Sequence, residues 1–308
     1  MIEIILCSFI FSLFIPLFHR IFKRYTGLVV SIFSSVLFIY LLGYIDPVYK
    51  GGVYNSVVKW VPGMKINFSF LLDGLSLLFS LLITGVGALV FAYSFSYFGE
   101  NKKTPNFYFH MMIFFSSMLG LVLSDNLITM FVFWELTSIS SYMLIGFYHE
   151  KEKARSAALK ALLVTGGGGL AMLAGILFVG EISGTYEFTE LLTQNDIIKS
   201  HPLYLTVLIL FLLGAFTKSA QFPFHFWLPS AMEAPTPVSA YLHSATMVTA
   251  GVYLLARLSP LLGETAEWHY IVTSIGSITM ILGAFYSFKS RDLKSILAYS
   301  TVSAPVSY

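Results

Sequence analysis

The sequence is short of cysteine and of charge. Its single cysteine, Cys7, lies inside the first apolar run. No internal disulfide is therefore available, and Cys7 reads as a small core or lipid-facing residue. Asp, Glu, Lys and Arg make up only 11% of the 308 residues, hydrophobic residues make up 56%, and mean hydropathy is +0.78. That balance excludes a soluble chain and sets aside the two-domain expectation that its length would otherwise carry. No basic residue precedes the first apolar run and no small-residue cleavage site follows it, so a retained helix is expected there, not a signal peptide. Enzyme signatures are missing too. His149-Glu150-Lys-Glu-Lys153 lacks the second histidine of a zinc protease, and no spaced His/Cys set is present, so no cofactor is expected and a metal remains unassigned. Gly166-Gly167-Gly168-Gly169 has no strand before it and no Gly-Lys-Ser/Thr after it, which excludes a phosphate loop. The basic loops read as topology signals, and nucleic acid is not an expected partner.

What is present is an all-α polytopic membrane protein. Apolar runs of spanning length fall at 2–18, 27–45, 73–98, 107–124, 126–147, 157–180, 203–228, 238–257 and 270–288, which predicts about nine transmembrane helices. The seventh is broken by proline, and a tenth starts near Lys294. Arg20, Lys23, Arg24, Lys102, Lys103, Lys151, Lys153, Arg155, Lys160, Lys289, Arg291 and Lys294 fall on one side. Lys50, Lys59, Lys65, Lys199 and Arg257 fall on the other. The excess belongs on the cytoplasmic side, so the N-terminus is expected outside. Within residues 46–72, Ile66, Phe68 and Phe70 alternate with Asn67 and Ser69 after Pro62-Gly63, which predicts a short hairpin at the membrane surface.

Three spans carry ionisable groups that lipid does not accept cheaply. Lys218-Ser-Ala-Gln-Phe-Pro-Phe-His-Phe-Trp-Leu-Pro229 places a lysine beside a helix break, because Pro223 has no N–H to give the carbonyl of Ser219. A lysine at membrane depth costs roughly 2.5–3.5 kcal/mol on insertion scales. Broken helices beside buried charge are how transporters build ion sites; the plain alternative is a kinked helix whose lysine snorkels. Glu135 lies about 14 Å into the fifth span, near mid-membrane, followed by Thr137, Ser138, Ser140, Ser141 and Tyr142. It is a functional acid or a protonated residue packing helices together. His243 in the eighth span has a side-chain type suited to passing protons, or is satisfied by a neighbouring group. His225 follows Lys218 by seven residues across the break. Asp73 caps the third span. The four glycines give close helix packing or a hinge.

Three stretches then show a resemblance. Trp134-Glu135-Leu-Thr-Ser-Ile-Ser-Ser-Tyr-Met-Leu-Ile-Gly146, the Lys218–Pro229 segment and Ala231-Met-Glu-Ala-Pro-Thr-Pro-Val-Ser-Ala-Tyr-Leu-His-Ser-Ala-Thr-Met-Val248 resemble the antiporter-like subunits shared by respiratory complex I and the Mrp-type multisubunit sodium/proton antiporters. The wording is most similar to the A-type subunits of the Mrp branch, and Leu72-Asp-Gly-Leu-Ser-Leu-Leu fits as well. The resemblance implies that Glu135 and Lys218 form a gating charge pair on a hydrated proton path. His225 and His243 would extend that path. Glu233 matches a recurrent acid of the following loop, and Asp73, Thr249 and Lys294 are accessory positions. Thr249 stands where the A-type subunits usually carry lysine. The implied organisation is an N-terminal pair of helices with an external hairpin (1–72), a third helix and internal loop (73–106), a complete five-helix repeat (107–257) and the start of a second repeat (258–308), which reads as a truncated subunit.

The implied partners are other Mrp-type subunits, the lipid bilayer, H+ and Na+, in a cell membrane. A proton-pumping subunit of a redox-driven complex and a non-transporting assembly scaffold are the alternatives.

Overall fold

The computed structural model describes residues 1–61, 63, 66–99 and 104–304. Pro62 of the expected turn, Lys65, Lys102 and Lys103 of the charge count, and residues 305–308 lie outside the described residues. The helices are α1 (Ile2–Phe22), α2 (Thr26–Leu42), α3 (Gly74–Phe98), α4 (Thr104–Leu123), α5 (Leu127–Ile145), α6 (Glu152–Ser183), α7 (Tyr204–Lys218), α8 (Met247–Leu262), α9 (Ala266–Lys289) and α10 (Leu293–Ser303). Among the described residues, seven stretches are long and apolar enough to cross a membrane. The first of them, Ile2–Tyr49, contains both α1 and α2, and the shorter α7 stands apart from the seven. The nine expected spans thus correspond to α1–α9, although α7 ends at Lys218 and the eighth span, Thr236–Leu262, begins ahead of α8; α10 is the expected start of a tenth.

Helix boundaries follow local chemistry. Asp73 accepts the backbone N–H of Ser76 at 2.9 Å, and the Ser76 hydroxyl accepts the N–H of Asp73 at 2.8 Å, a reciprocal cap on α3. Asn126 caps α5 through the N–H groups of Ile128 and Thr129. Between α2 and α3, β1 (Tyr54–Val61) and β2 (Ile66–Leu72) form the expected antiparallel hairpin, with Tyr54 opposite Leu72 and Lys59 opposite Asn67. Ile66, Asn67 and Phe68 are half-buried, and from Ser69 onward β2 is buried on both faces.

Helix α4 is buried nearly all round, through Phe107, Met111, Phe114, Phe115, Met118 and Leu119. A helix apolar on every side belongs at a core. Helix α1 packs along α4, α2 along α3, and α5 between α4 and α6, while α7 lies against α6 and α8. Helix α9, by contrast, buries only Trp268, Gly276, Thr279 and Gly283 and leaves Ile281, Phe285 and Phe288 exposed.

Arg257 is a correction to the sequence reading. Expected in a loop, it lies inside α8 and is 5% exposed, because the apolar run continues through Leu258, Leu261 and Leu262.

Candidate functional site

The break after α7 is closed by side chains. Ala220 adopts φ +52°, in the left-handed region, so the chain leaves the helix one residue after Ser219. The Ser219 carbonyl, expected to lose its partner, accepts Gln221 Nε2 at 3.1 Å. The Thr217 carbonyl accepts Trp227 Nε1 at 2.9 Å. The N–H of Phe222 donates to Thr279 Oγ1 of α9, also at 2.9 Å. Irregular backbone survives at membrane depth only with such partners.

At this helix end Lys218 is fully buried, which removes the snorkelling alternative. Its Nζ donates to the Trp134 carbonyl at 3.0 Å and to Ser138 Oγ at 2.7 Å, and stands 5.1 Å from the centre of the Trp134 ring. Glu135 is close to both acceptors on α5, yet Lys218 makes no direct ion pair with it. The Glu135 carboxylate turns to α6, where Oε2 lies 4.0 Å from the position a Gly166 Cβ would take and Oε1 occupies the space a Gly169 Cβ would fill. No hydrogen-bond partner for Oε1 exists among the described residues. Lys218, from the end of α7, therefore reaches the stretch of α5 that carries Glu135, but the two side chains are held on different partners.

The glycine run serves close packing at two of its positions. A Cβ on Gly168 would strike the Thr217 side chain, and one on Gly169 would strike Glu135, whereas Gly167 faces open space. Gly214 receives Met172 from the opposite side, so α6 and α7 approach closely.

His243 sits in a π-helical stretch, Ser239–Thr246, that precedes α8, the kind of irregularity often found at functional sites. Its ring lies edge-on to Trp227 at 5.9 Å, and neither ring nitrogen has a partner among the described residues. Trp227 thus touches both the end of α7 and His243. His225 instead faces α9, stacked between Phe222 at 6.2 Å and Tyr286 at 6.1 Å. Lys294 donates to the carbonyls of Met232 (3.2 Å) and Ala234 (2.9 Å), bracketing the exposed Glu233. Met232, Glu233, Ala234 and Lys294 line a cleft of about 530 Å³ together with Lys151 and Asp292. Thr249 donates to the Ala245 and Thr246 carbonyls of the π-helical stretch that precedes α8.

Asp73 does more than cap α3. Both its oxygens accept from the Arg257 guanidinium, Oδ1 from Nη2 at 3.1 Å, while Arg257 Nε donates to the Tyr253 hydroxyl at 3.0 Å. Burial pushes the Asp73 carboxyl up, but the hydrogen bond and charge of Arg257, with the Ser76 contacts, outweigh it and hold the group below its usual value. The sequence signal for this pair is an arginine within an apolar run and a lone acid at the head of another.

At the hairpin end, Glu187 accepts from Asn67 Nδ2 (2.9 Å), Asn126 Nδ2 (3.1 Å) and the Ser69 hydroxyl, and Asp125 accepts from Thr189 Oγ1 (2.9 Å). The connection between α6 and α7 thereby ties the hairpin to the α4–α5 turn. Among the described residues, no three His, Cys, Asp or Glu side chains gather as a metal site.

A family model described as NADH:quinone oxidoreductase/Mrp antiporter, TM, matches residues 124–304, and one described as NADH-Ubiquinone oxidoreductase (complex I), chain 5 N-terminus, matches residues 60–108. The chain is 49% identical over 297 residues to the A-type subunit of the Na(+)/H(+) antiporter of Alkalihalophilus pseudofirmus, covering 96% of this chain and 37% of the relative. It is 50% identical to the like-named protein of Bacillus subtilis, with 97% and 38% covered. It is 52% identical to the A/B-type subunit of a probable K(+)/H(+) antiporter of Rhizobium meliloti, with 88% and 27% covered. The chain thus spans under two fifths of the length of these curated relatives, all named as antiporter subunits. A solved Mrp complex from Dietzia sp. contains a chain 37% identical that superposes with a TM-score of 0.92 over 98% of this chain and 33% of that one. An archaeal membrane-bound sulfane sulfur reductase shares the fold, with a TM-score of 0.86 at 22% identity over 98% of this chain and 62% of that one.

Proposed function

The chain belongs to the NADH:quinone oxidoreductase/Mrp antiporter transmembrane family, and from that premise we propose that it is a membrane component of a multisubunit secondary antiporter, moving protons inward against sodium. The observation that carries the reading is Lys218: a fully buried amine at the end of a broken helix, bonded to α5 within one turn of a mid-span carboxylate. Lys218 is the proton carrier in this reading. Rotation of its side chain from Ser138 and the Trp134 carbonyl towards Glu135 exchanges one set of contacts for an ion pair, and release of the proton follows when the pair opens. His243 is the next acceptor, reached past Trp227, and His225 lies on the side of α9. The low dielectric around these groups makes each contact worth more than it is in water. The 1–72 segment, the 73–106 segment, the 107–257 repeat and the 258–308 extension are the functional divisions of this proposal. The N-terminus lies outside, and the partners are the other subunits of such an antiporter.

Sodium is proposed because relatives from Alkalihalophilus pseudofirmus and Bacillus subtilis are named for it, although the Rhizobium meliloti relative is named for potassium. The test is proton movement in inside-out vesicles that contain the chain with its partner subunits, started by NaCl, by KCl, or by NADH and quinone. Exchange started by NaCl supports the proposal, and exchange started only by KCl corrects the ion. Proton movement that needs NADH and quinone and ignores both salts contradicts it.

A further inference from the structure

We infer that Ser138 is a positioning residue: its hydroxyl holds the Lys218 ammonium in a parked state and competes with Glu135 for it. This rests on the transport reading of Lys218 above and deepens it. The Nζ–Oγ distance of 2.7 Å is the shorter of the two Lys218 hydrogen bonds, and both residues are buried at 1% exposure or less. The Ser138 hydroxyl has its own proton directed back to the Trp134 carbonyl at 3.3 Å, which leaves its lone pairs for the ammonium. The same carbonyl takes Lys218 directly, so amine, hydroxyl and carbonyl close a small ring at the face of the Trp134 indole.

Position on the helix gives the competition. Glu135 and Ser138 are three residues apart on α5, where side chains lie about 5–6 Å from each other. Lys218 therefore passes from one to the other by turning its own side chain, with α5 still. The carboxylate, meanwhile, points away into the space left by Gly169 on α6. The charge that acts on Lys218 is Glu135 from α5, and the glycines of α6 carry no titratable group; of the two histidines, His243 before α8 packs on Trp227 and His225 after the break faces α9. A backbone carbonyl cannot be removed by mutation, so the hydroxyl is the adjustable half of the parking site.

The experiment uses the assembled complex in inside-out vesicles and compares Ser138→Ala, Ser138→Thr, Ser138→Cys and Lys218→Ala, with the inserted amount of each measured by immunoblot. One hydrogen bond to a charged group corresponds to at least about a tenfold change in an equilibrium, so the pH profile of exchange in Ser138→Ala moves by roughly one pH unit. Ser138→Thr restores the original profile, and Ser138→Cys, a weaker acceptor of similar size, moves it part of the way. A Ser138→Ala or Ser138→Cys profile that superposes on the original overturns the inference. So does an equal fall at every pH that threonine fails to rescue. Normal exchange in Lys218→Ala overturns the transport reading underneath, whereas an inactive Lys218→Ala beside an unaltered Ser138→Ala removes only the inference about Ser138.

Discussion

Alanine in place of Gly169 puts a methyl group where Glu135 Oε1 now lies, 3.0 Å from Glu135 Cδ and 3.4 Å from Trp134 Cδ1. Alanine within a helix is worth about 1 kcal/mol over glycine, and overpacking costs about 1–3 kcal/mol. Here the obstructing atoms are the end of a flexible side chain, so the carboxylate swings aside at the low end of that range and stability stays near the original. Function does not, because the carboxylate is driven from its place beside the Lys218 site. Gly168→Ala differs: its methyl meets Cβ and Cγ2 of Thr217 at 2.7 and 2.8 Å, and a β-branched side chain fixed against its own helix cannot yield without moving α7. A net loss of about 1–2 kcal/mol follows. Gly167→Ala meets nothing within 4 Å and gains up to about 1 kcal/mol. Thermal unfolding of the purified complex therefore ranks Gly167→Ala first and Gly168→Ala last. Cation-driven proton exchange in vesicles is retained in Gly167→Ala and largely lost in Gly169→Ala. Equal exchange in those two variants would refute the argument that the glycine run seats the carboxylate.

Further outcomes can be checked by the same measurements. Asp73→Asn keeps the cap and strands a buried guanidinium, lowering stability by about 3 kcal/mol, and Asp73→Ala loses about 1 kcal/mol more with the cap. Because the folded Asp73 carboxyl is held below its usual value, the stability it contributes is present above about pH 4 and is lost as pH falls through the folded value. The melting temperature of the wild-type protein therefore drops in that acid range, and Asp73→Asn flattens the drop. Trp227→Phe keeps an aromatic ring against His243 but leaves the Thr217 carbonyl with only the long Ala220 N–H contact at 3.4 Å, a loss of about 1 kcal/mol visible as an earlier melting transition. An unchanged transition would contradict a stabilising role for the indole hydrogen bond.

Much of this arrangement is legible in the residues. Asp73 is legible as a cap because a short polar side chain ahead of an apolar run has backbone N–H groups to satisfy, and it caps α3. Lys218 is marked as the end of a helix by the Pro223 that follows, and α7 ends there. The contacts that make the site are less visible. Gln221 and Trp227 supply the donors at the break, but nothing in their spacing says which carbonyl each reaches. A basic residue is ordinarily assigned to a loop, which hides Arg257, although its apolar neighbours run on to Leu262. The expected direct contact of Lys218 with Glu135 is replaced by Ser138 and a carbonyl, because sequence spacing gives a helix face without saying which of several acceptors on it is engaged. Likewise the acids Glu187 and Asp125 have the look of a solvated loop, and the pairing of Glu187 with Asn67 and Asn126, each more than sixty residues away, has no local signal.

The central claim is that the buried amine of Lys218 carries the transported proton. Its most direct test is sodium-driven proton exchange in inside-out vesicles containing the assembled complex, with wild type and Lys218→Ala brought to equal inserted amounts. The account predicts sodium-dependent exchange in the wild type and none in the variant, with Glu135→Ala behaving likewise. Exchange at the wild-type rate in Lys218→Ala would contradict it.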